Sequence, residues 1–433
     1  MNIVDIIVKT KRKEKLSREE INWMIENYVS EKIPDYQISA WLMAVCFNSL
    51  SEEETFYLTE AMRDSGDKLD LSGIDGITVD KHSTGGIGDK TSLIIAPVCA
   101  SCGLHVPKMS GRGLGFTGGT IDKLESIEGF KVNVEFEDYI DIINKNGAAI
   151  IAQSGHLVPA DKKLYALRDV TGTVDSIPLI CSSIMSKKLA TGADCILLDV
   201  KMGNGAFMKT AEDAKKLAEL MVKVGKSCGK KCRAVITDMN EPLGDAVGNS
   251  LEVIEACEIL SGKKKGRLYE LCMILAANML EMGGFGDYDL CYKMAAEKIE
   301  NGEAIRKLSD MIEAQGGNKN AVYDYSEFAQ PVHKLEVFSD SNGYVSEIYS
   351  EEIGMSALMT GAGRKSKADS IDSTAGIILN KHVGDYAEKG ELLMTLYSSS
   401  VSDMTAAAER AGNAVLFSDK NVEIKPVLID TVI

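Results

Sequence analysis

The sequence predicts an α/β protein: a mainly parallel sheet domain, a helical domain formed by the N-terminus plus an insertion, and a separate β-rich C-terminal domain. Three observations lead there. Short β-like runs, Ile77 to Asp80, His105 to Met109 and Cys195 to Val200, each pass through a loop into a helical stretch, the alternation that builds a parallel sheet. Helical spacing of apolar residues fills positions 1 to 66 and returns between Pro159 and Gly192. Beyond Pro331 the texture changes to short alternating segments. The expected divisions are therefore 1–66 plus 159–192, 70–158 plus 193–328, and 331–433, a partition that suits a chain of 433 residues.

Each element has a local reason. Ser17-x-x-Glu20 is a capping box, and Ile21, Met24, Ile25, Tyr28 and Val29 follow at helical spacing before Pro34 stops the run. A second capping box, Ser51-x-x-Glu54, opens another helix. In the insertion, Asp161 to Val170 and Ser176 to Ala190 read as helices that pack with the N-terminal ones. Helices over 211–228, 249–261 and 266–282, with a strand at Arg233 to Thr237, continue the α/β body. Gly343 to Tyr349 and Glu391 to Tyr397 read as strands of the C-terminal domain. There, Val383 to Glu391 resembles the hammerhead of biotinyl and lipoyl domains, without a swinging lysine in the expected turn.

Acidic residues outnumber basic ones 64 to 48, a formal charge of −16, which argues against a nucleic-acid surface because phosphate backbones bind to basic stripes. Any anionic ligand must be held by local charge and backbone amides. No run of eighteen predominantly apolar residues occurs, and no secretory signal is visible, so no membrane partner and a cytoplasmic location are expected. Ten cysteines scattered through apolar runs read as reduced core thiols, with Cys99-x-x-Cys102 only a weak zinc half-site.

Two glycine loops carry the chemistry. Lys81-His82-Ser83-Thr84-Gly85-Gly86-Ile87-Gly88-Asp89-Lys90-Thr91-Ser92 stands where a strand hands over to a helix; its glycines admit an anion close to the backbone, and the helix N-terminus offers unpaired N–H groups. A second loop, Lys108 to Thr120, follows the next strand and leads into a helix at Ile121 to Ile127. Two such loops on neighbouring parallel strands face each other at the carboxyl edge of the sheet, where open α/β folds bind ligands. Neither is a Walker loop or a dinucleotide fingerprint. In the insertion, Ser183 and Lys187 lie four residues apart on one helix face, one helix after Arg168. Spacing alone leaves two readings open there, a face aimed at a polar planar ligand or a solvated stripe adjoining Lys188.

These residues resemble a known family. Ser110-Gly-Arg-Gly-Leu-Gly-Phe-Thr-Gly-Gly-Thr-Ile-Asp-Lys-Leu-Glu125 resembles the signature of the thymidine and pyrimidine-nucleoside phosphorylases. The Lys81–Ser92 loop, Tyr165-Ala-Leu-Arg-Asp169, Ser182-Ser-Ile-Met-Ser-Lys-Lys188 and Asp199 to Met208 are similar to theirs in the same order, so the resemblance covers nearly the whole chain. It implies a C-terminal α+β domain, a homodimer joined through the helical parts, and reversible phosphorolysis of uridine, thymidine and deoxyuridine to free base and pentose 1-phosphate. Lys81, His82, Ser83, Ser92, Lys108, Met109, Ser110 and Thr120 match the phosphate side. Arg168, Ser183 and Lys187 match the positions that hold the pyrimidine. With His82 they form the expected catalytic set, in which His82 donates a proton or hydrogen bond to the departing base. No organic cofactor is implied, but a potassium site is, at Gly88, Lys90, Leu243, Ala246 and Glu255.

Two positions depart from the family pattern. Phe116 stands where a histidine is usual, which removes a hydrogen bond associated with cleft closure. Lys90 replaces a small hydroxyl residue in the cation site, where its carbonyl alone would still serve potassium. Lys108 matches relatives that accept ribonucleosides, whereas thymidine-restricted relatives carry methionine there. The narrower alternative is a thymidine-restricted phosphorylase. A more remote one is a phosphoribosyltransferase of similar architecture, for which only Asp89 and Asp122 qualify as magnesium ligands near the loops.

Overall fold

The computed structural model describes residues 1–113, 118–364, 366 and 369–433. The N-terminal helices are α1 (Ile3–Lys11), α2 (Arg18–Val29), α3 (Asp35–Asn48) and α4 (Glu52–Arg63). Both capping boxes form: the Ser17 and Ser51 hydroxyls accept from the amides of Glu20 and Glu54, whose carboxylates return to the cap amides. Pro34 caps the start of α3 rather than ending α2, which stops at Val29.

The α/β body begins with β1 (Val79–Ser83), α5 (Thr91–Ser101), β2 (Val106–Ser110), α6 (Thr120–Leu124), α7 (Phe136–Asn146) and β3 (Ala148–Ala152). The insertion follows as α8 (Pro159–Thr171) and α9 (Ile177–Ala190). The body resumes with β4 (Cys195–Met202), α10 (Ala211–Ser227), β5 (Lys231–Asp238), α11 (Asn249–Leu260) and α12 (Arg267–Met282). β1 pairs parallel with β4, and β4 with β5. β2 pairs parallel with β3, and a parallel bridge between Thr78 and His105 sets β2 beside the start of β1. The two glycine loops thus leave neighbouring strands at the same end, one from a four-stranded sheet and one from a two-stranded sheet beside it.

The insertion does pack with the N-terminal helices. Leu157, Leu164 and Leu179 share one core with Ile21, Trp41 and Leu58, and the Thr59 hydroxyl meets the Ser182 hydroxyl at 3.2 Å. Helix α9 is buried on nearly every face, as expected of a helix apolar all round that lies between layers.

The boundary expected at residue 331 is crossed in both directions. Residues 428–432 leave the C-terminal domain and pair antiparallel with β5, covering the sheet edge that β5 would otherwise expose. Ala246 and Val247, from the α/β body, extend the C-terminal sheet by pairing with Ile378 and Ile377. That domain also holds helices 350–359 and 405–413 and is therefore α+β rather than purely β-rich. Among the described residues no helix is long and apolar enough to cross a membrane.

Candidate active site

The first loop is shaped by the alternation of side chains along β1. Asp80 and His82 point to one face, and Lys81 points to the other. Lys81 is consequently not on the cleft wall. Its ammonium lies beneath the loop, 3.0 Å from Asp199 and 2.7 Å from the Thr91 hydroxyl, so it stands as a buried support of the loop and not among the cleft-lining residues. Lys201 joins Asp199 at 2.6 Å, and Asp89 accepts from the Thr91 amide and hydroxyl. Burial pushes the Asp89 carboxyl up, but the Lys81 and Lys201 ammonium groups and its hydroxyl partners hold it well below the usual range. Above this cluster, His82, Ser83, Thr84, Gly85, Gly86 and Ser92 line an open cleft of about 330 Å³. Gly86 packs closely on Met239: a Cβ there would lie 2.4 Å from its terminal methyl, so that flexible side chain would have to move.

The second loop supplies Lys108, Met109, Ser110 and Thr120 to the same cleft. Lys108 donates to the Lys81 carbonyl at 2.5 Å and stands 3.6 Å from Asp80. Burial and the Lys188 ammonium lower its pKa to about 7, against the opposing pull of Asp80. Asp122 accepts from the Gly113 amide at 2.6 Å and from Arg364 at 2.8 Å. Phe116 lies outside the described residues.

Across the cleft stand Tyr165 of α8 with Lys187, Lys188 and Thr191 at the end of α9. Lys187 is held by Asp161 at 2.5 Å and by the Ser183 hydroxyl at 3.4 Å. The solvated-stripe reading fails here, because Ser183 and Lys188 are each only 4% exposed. Ser183 lies behind Lys187 rather than on the wall. Arg168 is also off the wall: its guanidinium donates to the carbonyls of Thr173, Val174 and Leu179 and clamps the α8–α9 connection.

The cleft is cationic although the protein is acidic. Lys108, Lys187 and Lys188 line it, and Asp80 balances Lys188 at 2.6 Å. Burial, then the neighbouring ammonium groups of Lys188, Lys108, Lys187 and Lys81, depress His82 well below its ordinary pKa. This favours the neutral form of the His82 imidazole, which keeps one ring N–H as a hydrogen-bond donor toward the cleft.

The five residues expected to hold potassium do converge, around a different cation. The Lys90 ammonium donates to the carbonyls of Leu243 at 2.6 Å and Ala246 at 2.8 Å and to Glu255 Oε2 at 2.7 Å. A side-chain cation thus fills the centre of the set, and a potassium ion does not fit there. Glu255 is buried among these partners.

Sequence reasoning missed Asp80, Gln153, Thr191 and Phe207, and took Lys188 only as a neighbour. Tyr165, Lys188 and Phe207 stood inside recognised motifs; the Asp80–Lys188 pair spans 108 residues and left no local signal.

Comparison with known proteins agrees with this geometry. Residues 4–66 match the helical bundle domain of the glycosyl transferase family, 75–305 match its a/b domain, and 344–418 match the pyrimidine nucleoside phosphorylase C-terminal domain. A pyrimidine-nucleoside phosphorylase of Staphylococcus haemolyticus is 49% identical over the whole of both chains. Those of Bacillus subtilis and Geobacillus stearothermophilus are 51% and 50% identical over 92% of each chain. The fold extends to anthranilate phosphoribosyltransferase of Thermus thermophilus, at TM-score 0.58 and 18% identity, over 71% of this chain and 98% of that one. With the cleft, the domain order and full-length relatives in agreement, the chain belongs to the pyrimidine-nucleoside phosphorylase family.

Proposed function

We propose that this cleft catalyses reversible phosphorolysis of uridine, thymidine and deoxyuridine, releasing the pyrimidine and forming ribose or deoxyribose 1-phosphate. The observation that carries the reading is the division of one cleft into two walls. One is built from hydroxyls and glycine amides and the other from the tip of α9.

Inorganic phosphate is assigned to the first wall, against Ser83, Ser92, Ser110 and Thr120 and the amides at the start of α5. Lys81 tunes that wall from below. The pyrimidine is assigned to the second wall, with Lys187 directed at a ring oxygen. A phosphate oxygen forms the bond to C1′ as the C1′–N bond breaks, and the electron pair of that bond passes to the base. The barrier falls when the two reactants are held in line and the departing negative charge meets fixed donors. Lys187 supplies such a donor, and neutral His82 hydrogen-bonds to the base from the phosphate side. Arg168 acts by fixing the connection into α9.

A phosphoribosyltransferase shares the fold, but Asp89 and Asp122, its candidate magnesium ligands, are already engaged by amides, hydroxyls or guanidinium groups. Lys108 favours a substrate range that includes ribonucleosides over a thymidine-restricted one. We assign two copies to a homodimer paired through the helical domain, because Tyr36, Met43 and Phe47 form an exposed apolar stripe on α3. A cytoplasmic location fits the reduced thiols.

Following uridine, thymidine and cytidine by absorbance with and without phosphate tests the activity. Base release is expected only with phosphate, together with pentose 1-phosphate. Free pentose as the sole sugar product would make the protein a hydrolase.

A further inference from the structure

We infer that the Lys90 ammonium is a built-in monovalent cation, which makes this chain independent of potassium and fixes the phosphate loop to the segment that docks the C-terminal domain. The geometry accounts for every proton of the group. An ammonium has three donors and no acceptor, and Lys90 Nζ meets three oxygens at 2.6–2.8 Å, two of them backbone carbonyls and one a carboxylate. Its side chain is fully buried. Such a group carries the same single charge as a monovalent ion, is close to potassium in size, and arrives already tethered, so no ion has to be captured from solution.

The surrounding residues complete the cage. Gly88 has φ +73°, and a Cβ there would lie 2.7 Å from the Leu243 carbonyl that Lys90 uses. Glu255 Oε2 also accepts from the Ala246 amide, while Oε1 accepts from the Asp245 amide at 2.7 Å and from Lys264 at 2.6 Å. Burial pushes the Glu255 carboxyl up, but Lys90 and Lys264 outweigh it and keep it ionised. The caged segment then continues outward. Asp245 meets His382 at 2.8 Å, and Ala246–Val247 pairs with Ile377 and Ile378 of the C-terminal sheet. Lys90 itself is the residue before α5, whose first turn presents Ser92 to the cleft. The Lys90 side chain therefore ties the phosphate loop to the segment that pairs with the C-terminal sheet.

The test compares thermal stability and turnover in potassium chloride and in tetramethylammonium chloride at equal ionic strength, with phosphate supplied as the matching salt. For the unmodified chain, Tm and kcat/KM should be the same in both. A potassium-specific rise in Tm, or a severalfold gain in turnover, would overturn the inference. Lys90→Thr opens the cage: its Tm should fall in tetramethylammonium by about 3 K or more and recover as potassium is titrated in. A Lys90→Thr protein indifferent to potassium would also overturn it. If that variant does not fold, the unmodified chain still decides. The Tm arm needs no substrate, so its outcome is separate from the assignment of phosphorylase activity.

Discussion

Replacing Lys187 by methionine separates a catalytic ammonium from one that merely neutralises a neighbour. Lys187 is one of three lysines on the cleft wall, and its side chain retains 24% exposure toward the cleft. Its partner Asp161 is only 6% exposed, and the second oxygen of that carboxylate is buried without a hydrogen-bond partner. Two costs follow from losing the charge. Removing a fixed donor from developing negative charge typically costs about 2.7–4 kcal/mol, or roughly 10²–10³ in kcat. Leaving Asp161 unpaired costs stability, on the order of 3 kcal/mol, the low end for a broken buried pair because Lys187 is partly solvated. The double variant Lys187→Met, Asp161→Asn divides the two: the carboxamide needs no counter-charge, so Tm should recover while kcat stays low. Phosphorolysis of uridine followed by absorbance, with Tm from calorimetry, measures both. A double variant with kcat within threefold of the unmodified chain would show that Lys187 only balances Asp161.

Lys108→Met should lower kcat/KM for uridine selectively, by about 1–3 kcal/mol for an unmet buried 2′-hydroxyl; equal losses for uridine and thymidine would reduce Lys108 to general charge near phosphate. Because Lys108 titrates near 7 in the folded chain but at about 10.4 when unfolded, the unfolded state binds more protons between those values and stability should rise with pH across them. Lys108→Met should flatten that rise in Tm, and an unchanged slope would remove Lys108 as its source. Arg168→Ala should lower Tm by several kelvin as well as kcat/KM, since three carbonyls of the α8–α9 connection lose their charged donor. Unchanged Tm with lost activity would place the guanidinium on the substrate instead.

What the sequence determined by itself is what neighbours along the chain decide. The capping boxes at Ser17 and Ser51 need residues three apart. The strand, glycine loop and helix succession at Lys81–Ser92 and Lys108–Thr120 is likewise a local pattern, and it was enough to place both loops on neighbouring strands. Return of helical spacing after Pro159 was enough to join the insertion to the N-terminal helices. Only the tertiary structure decided which charges meet. Lys90 reaches Glu255 across 165 residues, and Lys188 reaches Asp80 across 108. Arg168 turns to carbonyls and Lys81 to Asp199, although both residues match functional positions. The terminal strand 428–432 returns to β5 for the same reason. Periodicity and turn chemistry are encoded within a few residues, whereas a buried ammonium or an unpaired strand edge takes whichever partner the packed layers bring to it.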